Sequence, residues 1–73
     1  MTSQRGPSLP PAPVSFEERD GVPTWIVPGQ NRSVVIDVEG GRVSVAGLGW
    51  FNEAQLRALI IALQAAWSRV AEA

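Results

Sequence analysis

Ser33-Val34-Val35-Ile36-Asp37-Val38-Glu39-Gly40-Gly41-Arg42-Val43-Ser44-Val45-Ala46 is the stretch that decides the fold. Two runs rich in β-branched residues flank a pair of glycines. A two-residue turn of the primed type at Gly40-Gly41 pairs Glu39 with Arg42, Val38 with Val43, Asp37 with Ser44 and Ile36 with Val45. The register is self-consistent, because strand side chains alternate between faces. Val34, Ile36, Val38, Val43 and Val45 fall on one face, and Asp37, Glu39, Arg42 and Ser44 on the other. The sequence therefore predicts an antiparallel hairpin with one core face and one wet face.

Upstream, Thr24-Trp25-Ile26-Val27 is a run of strand formers bounded by Pro23 and Pro28, which suits an edge strand. Pro28-Gly29-Gln30-Asn31 between it and the hairpin is turn chemistry. Downstream, Gly47-Leu48-Gly49 ends the last strand and Trp50-Phe51-Asn52 leads into a helix. Asn52 is the N-cap and Gln55 stands where a capping-box partner belongs, while Phe51 and Leu56 match a hydrophobic staple. Glu53 in the first turn and Arg69 near the end complement the helix dipole. Nothing interrupts the pattern afterwards, so the helix runs about 20 residues, or about 30 Å.

The expected fold is α+β: a three-stranded antiparallel β-meander followed by one long C-terminal α-helix, over residues 22–73. Residues 1–21 are expected to form a flexible arm. All six prolines lie within the first 28 residues. Ser8-Leu9-Pro10-Pro11-Ala12-Pro13 should sample polyproline II, and Phe16 is the arm's sole aromatic anchor.

A chain of 73 residues with six basic and seven acidic side chains is one small domain with no strong field of either sign. It has no Cys, His, Lys or Tyr, which excludes disulfides, zinc sites and Cys or His nucleophiles. No leader-like apolar run opens the chain and no window approaches a membrane span, so the expected address is cytoplasmic and without membrane contact. Exclusive use of Arg, with abundant Ala, Gly, Pro and Val, suggests a bacterial or phage genome of high GC content.

The helix carries two apolar surfaces. Leu56, Leu59, Ile60, Leu63, Trp67 and Val70 follow the amphipathic spacing and are expected to face the hairpin. Short strands cover only about 17 Å, so the C-terminal end with Trp67 and Val70 should overhang. On the opposite side Ala54, Ala58, Ile61, Ala62 and Ala65 form a second apolar face, with Ile61 about 140° from the first stripe. Self-association is expected through Ala54, Ala58, Ile61, Ala62, Ala65, Trp67 and Val70, as a homodimer or small homo-oligomer, with symmetry favouring an isologous dimer with antiparallel C-terminal helices. A domain this small is short of core, and oligomerisation is a common remedy. Phe16 and Trp25 are the residues expected to meet a separate protein partner.

No catalytic, cofactor-binding or metal-binding residues emerge. Asp37 and Glu39 alternate on the wet face beside Arg42, and Glu53 and Glu72 sit in no apolar pocket. Ser33, Ser44 and Ser68 have no base to activate them. Two alternating carboxylates fall short of the six or more oxygens that Ca²⁺ requires. Gly47-Leu48-Gly49 lacks the third glycine and the Lys of phosphate loops. Nucleic acid is disfavoured as a partner, because Arg32, Arg42 and Arg57 compete with the carboxylates of Asp37 and Glu39.

Trp50-Phe51-Asn52-Glu53-Ala54-Gln55-Leu56-Arg57-Ala58-Leu59 resembles a pattern in small uncharacterised actinobacterial and actinophage proteins. In these a strand region ends in a Trp-Leu-Thr-like cap followed by one Ala/Leu-rich C-terminal helix. The resemblance spans roughly residues 49–73, with Phe51 and Asn52 in place of Leu and Thr, and it carries over no functional residue. In element order the chain is also similar to the MbtH-like proteins, without their Trp-centred motifs. The expectation is a non-enzymatic, self-associating protein–protein interaction module, as in a phage or mobile-element accessory protein that binds and modulates a host protein. The alternative is a small transcriptional regulator or antitoxin-like protein.

Overall fold

The computed structural model describes residues 12–72. The Pro-rich beginning of the expected arm, through Pro11, lies outside them. Four strands precede one helix: β1 (Ser15–Arg19), β2 (Val22–Val27), β3 (Val34–Glu39), β4 (Arg42–Ala46) and α1 (Glu53–Glu72). The strands form one antiparallel sheet in the order β1-β2-β3-β4.

The sheet thus has four strands rather than three, and Ser15–Arg19 of the expected arm is β1. The deciding residues are Asp20-Gly21. Arg19 pairs with Val22 across them, and both have positive φ, 53° and 80°. These are the dihedral signs of a type I′ turn, for which Asp-Gly is a strong signal. β1 itself is charged and carries one large apolar residue, Phe16, so hydrophobic alternation does not mark it. The β3–β4 hairpin has the register expected from its sequence, from Glu39↔Arg42 to Ile36↔Val45, and continues to Val35↔Ala46.

One sheet face carries α1. Trp25 lies beside Ile36 and Val27 beside Val34 on adjacent strands, and these four are buried with Leu59 and three helix alanines, Ala58, Ala62 and Ala66. The open face carries Glu17, Thr24, Asp37 and Ser44 in a row across the strands. Thr24 is fully buried there, and its hydroxyl donates to Asp37 Oδ1 at 2.8 Å with the Val22 carbonyl 3.0 Å away.

The helix begins as its cap requires. Asn52 N–H donates to Gln55 Oε1 at 3.0 Å, and Gln55 N–H donates to Asn52 Oδ1 at 2.8 Å, a complete capping box. The rotation of the helix about its axis differs from the expectation. Leu56, Ile60, Leu63 and Trp67 are exposed, while Ala58, Ala62 and Ala66 are buried against the sheet, so Leu59 alone of the leucine stripe is in the core. Small side chains let the helix approach a sheet face whose own side chains are large, so Trp25, Val27, Val34 and Ile36 fill the space between the layers. Two further contacts hold the rotation. Ala12 N–H donates to the Ala54 carbonyl at 3.0 Å, and the Arg69 guanidinium lies 5.5 Å from the Phe16 ring centroid and 5.8 Å from that of Trp25.

Candidate self-association surface

Leu56, Ile60, Leu63, Trp67 and Val70 are spaced four, three, four and three apart, which is the seam of a two-heptad helix–helix contact. At 100° per residue the first four lie within a sector of about 60°. Arg69, above Phe16 of β1, and Ala54, bonded to Ala12, mark the flank of α1 that looks toward β1. The leucine stripe is on the other flank and looks toward β4. The helix lies chiefly over β3, with β2 and β4 to either side.

β4 meets that stripe with apolar side chains of its own. Val43 and Val45 project from the face that carries the helix, in register with Val38 and Ile36, yet both stay exposed although part of α1 approaches β4. Strand register and helical spacing thus set Val43, Val45, Leu56, Ile60, Leu63 and Trp67 as an apolar band on the β4 side of the domain. Trp67 is 70% exposed. Among the described residues nothing covers this band and no strand pairs with the outer edge of β4.

The other expected contact residues fall elsewhere. Ala58 and Ala62 are in the chain's own core, and Ala54 and Ala65 are half-buried, with Ala65 packed against that core. Ile61 is exposed but about 100° round the helix from Ile60, outside the band. Val70 is half-buried. Trp25 is buried, and Phe16 packs on it with ring centroids 5.1 Å apart at 54°. The pair expected to receive a partner thus forms an intramolecular aromatic cluster under Arg69. Leu56, Ile60 and Leu63, expected to face the hairpin, are the ones left outside.

A second exposed group lies on the β4–α1 connection, where Leu48 and Trp50 point outward while Phe51 turns inward beside Gly29. The loop is held to the β2–β3 turn by Gln30 N–H donating to the Trp50 carbonyl at 3.0 Å. The open sheet face mixes signs, with the Glu17–Arg19 ion pair on β1 and Asp37, Glu39 and Arg42 lining a shallow depression beside Ser44. Among the described residues no group of three or more His, Cys, Asp or Glu side chains is placed to hold a metal, and no helix is long and apolar enough to cross a membrane. No protein-family model matches the chain, and neither does any curated protein or solved structure.

Proposed function

We propose that this protein is a non-enzymatic interaction module that works as a homodimer, assembled through the band of Val43, Val45, Leu56, Ile60, Leu63 and Trp67. One observation carries the reading. Among the described residues ten large hydrophobic side chains are exposed, against five that are buried, Trp25, Val27, Val34, Ile36 and Leu59. Six of the ten lie together on one side. Soluble monomers scatter such residues, and a contiguous patch of this kind marks an interface. The core that one copy lacks is supplied by the band of another.

Sedimentation velocity at tens of micromolar tests this. The wild-type chain is expected as a dimer. Leu63→Glu, which places a charge mid-stripe on a residue already 37% exposed, is expected to sediment as a monomer with unchanged far-UV circular dichroism. A monomeric wild type across that range overturns the proposal.

A further inference from the structure

The free edge of β4 bears on how two such bands would meet. Gly40 and Gly41 both have positive φ, 63° and 74°, so the hairpin closes through a type I′ turn whose flanking residues, Glu39 and Arg42, exchange hydrogen bonds. Antiparallel ladders alternate from there. The backbone groups of Arg42, Ser44 and Ala46 point at β3, and those of Val43 and Val45 point away from the sheet. The outer edge of β4 therefore offers two N–H and two C=O groups at positions 43 and 45. It carries no proline and only one charge, Arg42 at its start. β1, at the other edge, holds Glu17, Glu18 and Arg19, the charged protection expected of an edge that stays unpaired.

We propose that β4 pairs antiparallel with β4 of a second copy, on a two-fold axis that passes between the two Ser44 residues, which makes one continuous eight-stranded sheet. This rests on the self-association reading above and specifies its geometry. In this register Val43 of each copy exchanges both backbone hydrogen bonds with Val45 of the other, so the outward groups at both positions are satisfied at once. Ser44 faces Ser44 as a non-hydrogen-bonded pair, and Arg42 faces Ala46.

The two-fold axis stands perpendicular to the sheet and puts both helices on the same face, antiparallel. The flank of α1 that looks toward β4 then looks at its symmetry mate. Because each helix lies over β3, three strand spacings separate the axes, about 14 Å. Helices with average side chains pack 8–10 Å apart. The wider gap calls for long side chains over a floor of valines, and Leu56, Ile60, Leu63 and Trp67 stand on that flank with Val43 and Val45 beneath. At on the order of 200 Å² per large residue, the exposed fractions give this band roughly 550 Å² per copy, the backbone edge of Val43 and Val45 included, and Arg42, Ser44 and Ala46 of the same edge bring it closer to the ~800 Å² per partner of a stable interface. The occupant is a second copy because the free edge, the valine floor and the helix stripe all complement themselves under one operation. Ala12, where the N-terminal segment joins the fold, sits on the opposite flank of the helix, against Ala54.

The chain has no cysteine, so single-cysteine variants of the full chain test the register directly. Non-hydrogen-bonded antiparallel partners have Cα atoms about 4.5 Å apart, within the span of a disulfide. Under mild oxidation Ser44→Cys is expected to form a covalent dimer more than about tenfold faster than Glu17→Cys, a control on the same open face but in the middle of β1. A wild type that sediments as a dimer while the two variants cross-link equally fast overturns the β4 arrangement and leaves self-association standing. Faster cross-linking of Glu17→Cys assigns the edge to β1 and overturns it as well. A wild type that is monomeric throughout removes both proposals.

Discussion

Exchanging Ala62 for Leu tests which face of the helix is inside. Ala62 is 1% exposed and belongs to the cluster with Trp25, Val27, Val34 and Ile36. Leucine adds three carbon atoms at a point where helix and sheet are already in contact, so the layers must part or the side chain must leave its preferred rotamer. Extra methylenes in a packed core cost about 1–3 kcal/mol, and three at once belong at the upper end, about 2–3 kcal/mol. For a domain of this size each kcal/mol moves Tm by about 4–8 °C, so a fall of roughly 10–20 °C is expected. The companion change is Leu56→Ala. Leu56 is 48% exposed, so removing three carbons at about 0.8 kcal/mol each, half counted, costs about 1 kcal/mol and leaves no cavity. Both are made in the Leu63→Glu background, expected to be monomeric, and read by thermal and urea unfolding followed by circular dichroism, so that mass action on a dimer does not enter. With the leucine stripe inward the order would invert: Ala62→Leu would be neutral, and Leu56→Ala would cost the 2–5 kcal/mol of a core truncation. An Ala62→Leu variant as stable as its Leu63→Glu parent would refute the helix rotation described above.

Removing the aromatic clamp by Arg69→Ala should cost about 0.5–1 kcal/mol and change tryptophan fluorescence, whereas Arg69→Lys should retain part of the effect; unchanged stability and emission would mean that Arg69 holds nothing. Gly47→Ala should destabilise strongly, by about 2 kcal/mol or more, because φ is +91° and the new Cβ would lie 2.4 Å from the Ser33 carbonyl oxygen; a Tm within a degree or two of wild type would contradict that. Asn52→Ala should cost about 1 kcal/mol through loss of the capping box, visible as a lower urea midpoint with an unchanged m-value. Thr24→Val should cost about 1–2 kcal/mol, since it removes a buried donor from Asp37 without changing side-chain size; an equally stable variant would show that this hydrogen bond contributes nothing.

Much of this was legible in the residues because it depends on neighbours in sequence. The β3–β4 register follows from alternation about Gly40-Gly41, and the helix start follows from Asn52 and Gln55, whose side chains bond only to each other's backbone. β1 is different in kind. Its alternation is masked by charge, and its one clear signal, Asp20-Gly21, sits between two polar residues and Val22, so the strand is recognised from the turn or not at all. Phe16 and Trp25 look like anchors for a partner when judged by residue type, because sequence does not show that the strand carrying Phe16 folds back beside Trp25.

Residue order sets the periods: alternation of two for the strands, about 3.6 for the helix, and the turns and cap that punctuate them. The rotation of α1 belongs to the fold alone: Ala58 and Ala62 of one apolar face and Leu59 of the other are inside, while Ile61, Leu56, Ile60 and Leu63 are exposed. A hydrophobic stripe is attracted equally to any apolar surface, since that attraction has no direction. Volume broke the tie. A sheet face already filled by Trp25, Val27, Val34 and Ile36 leaves room for Ala58, Ala62, Ala66 and one leucine, Leu59, but not for the whole leucine stripe, so Leu56, Ile60 and Leu63 were left toward β4.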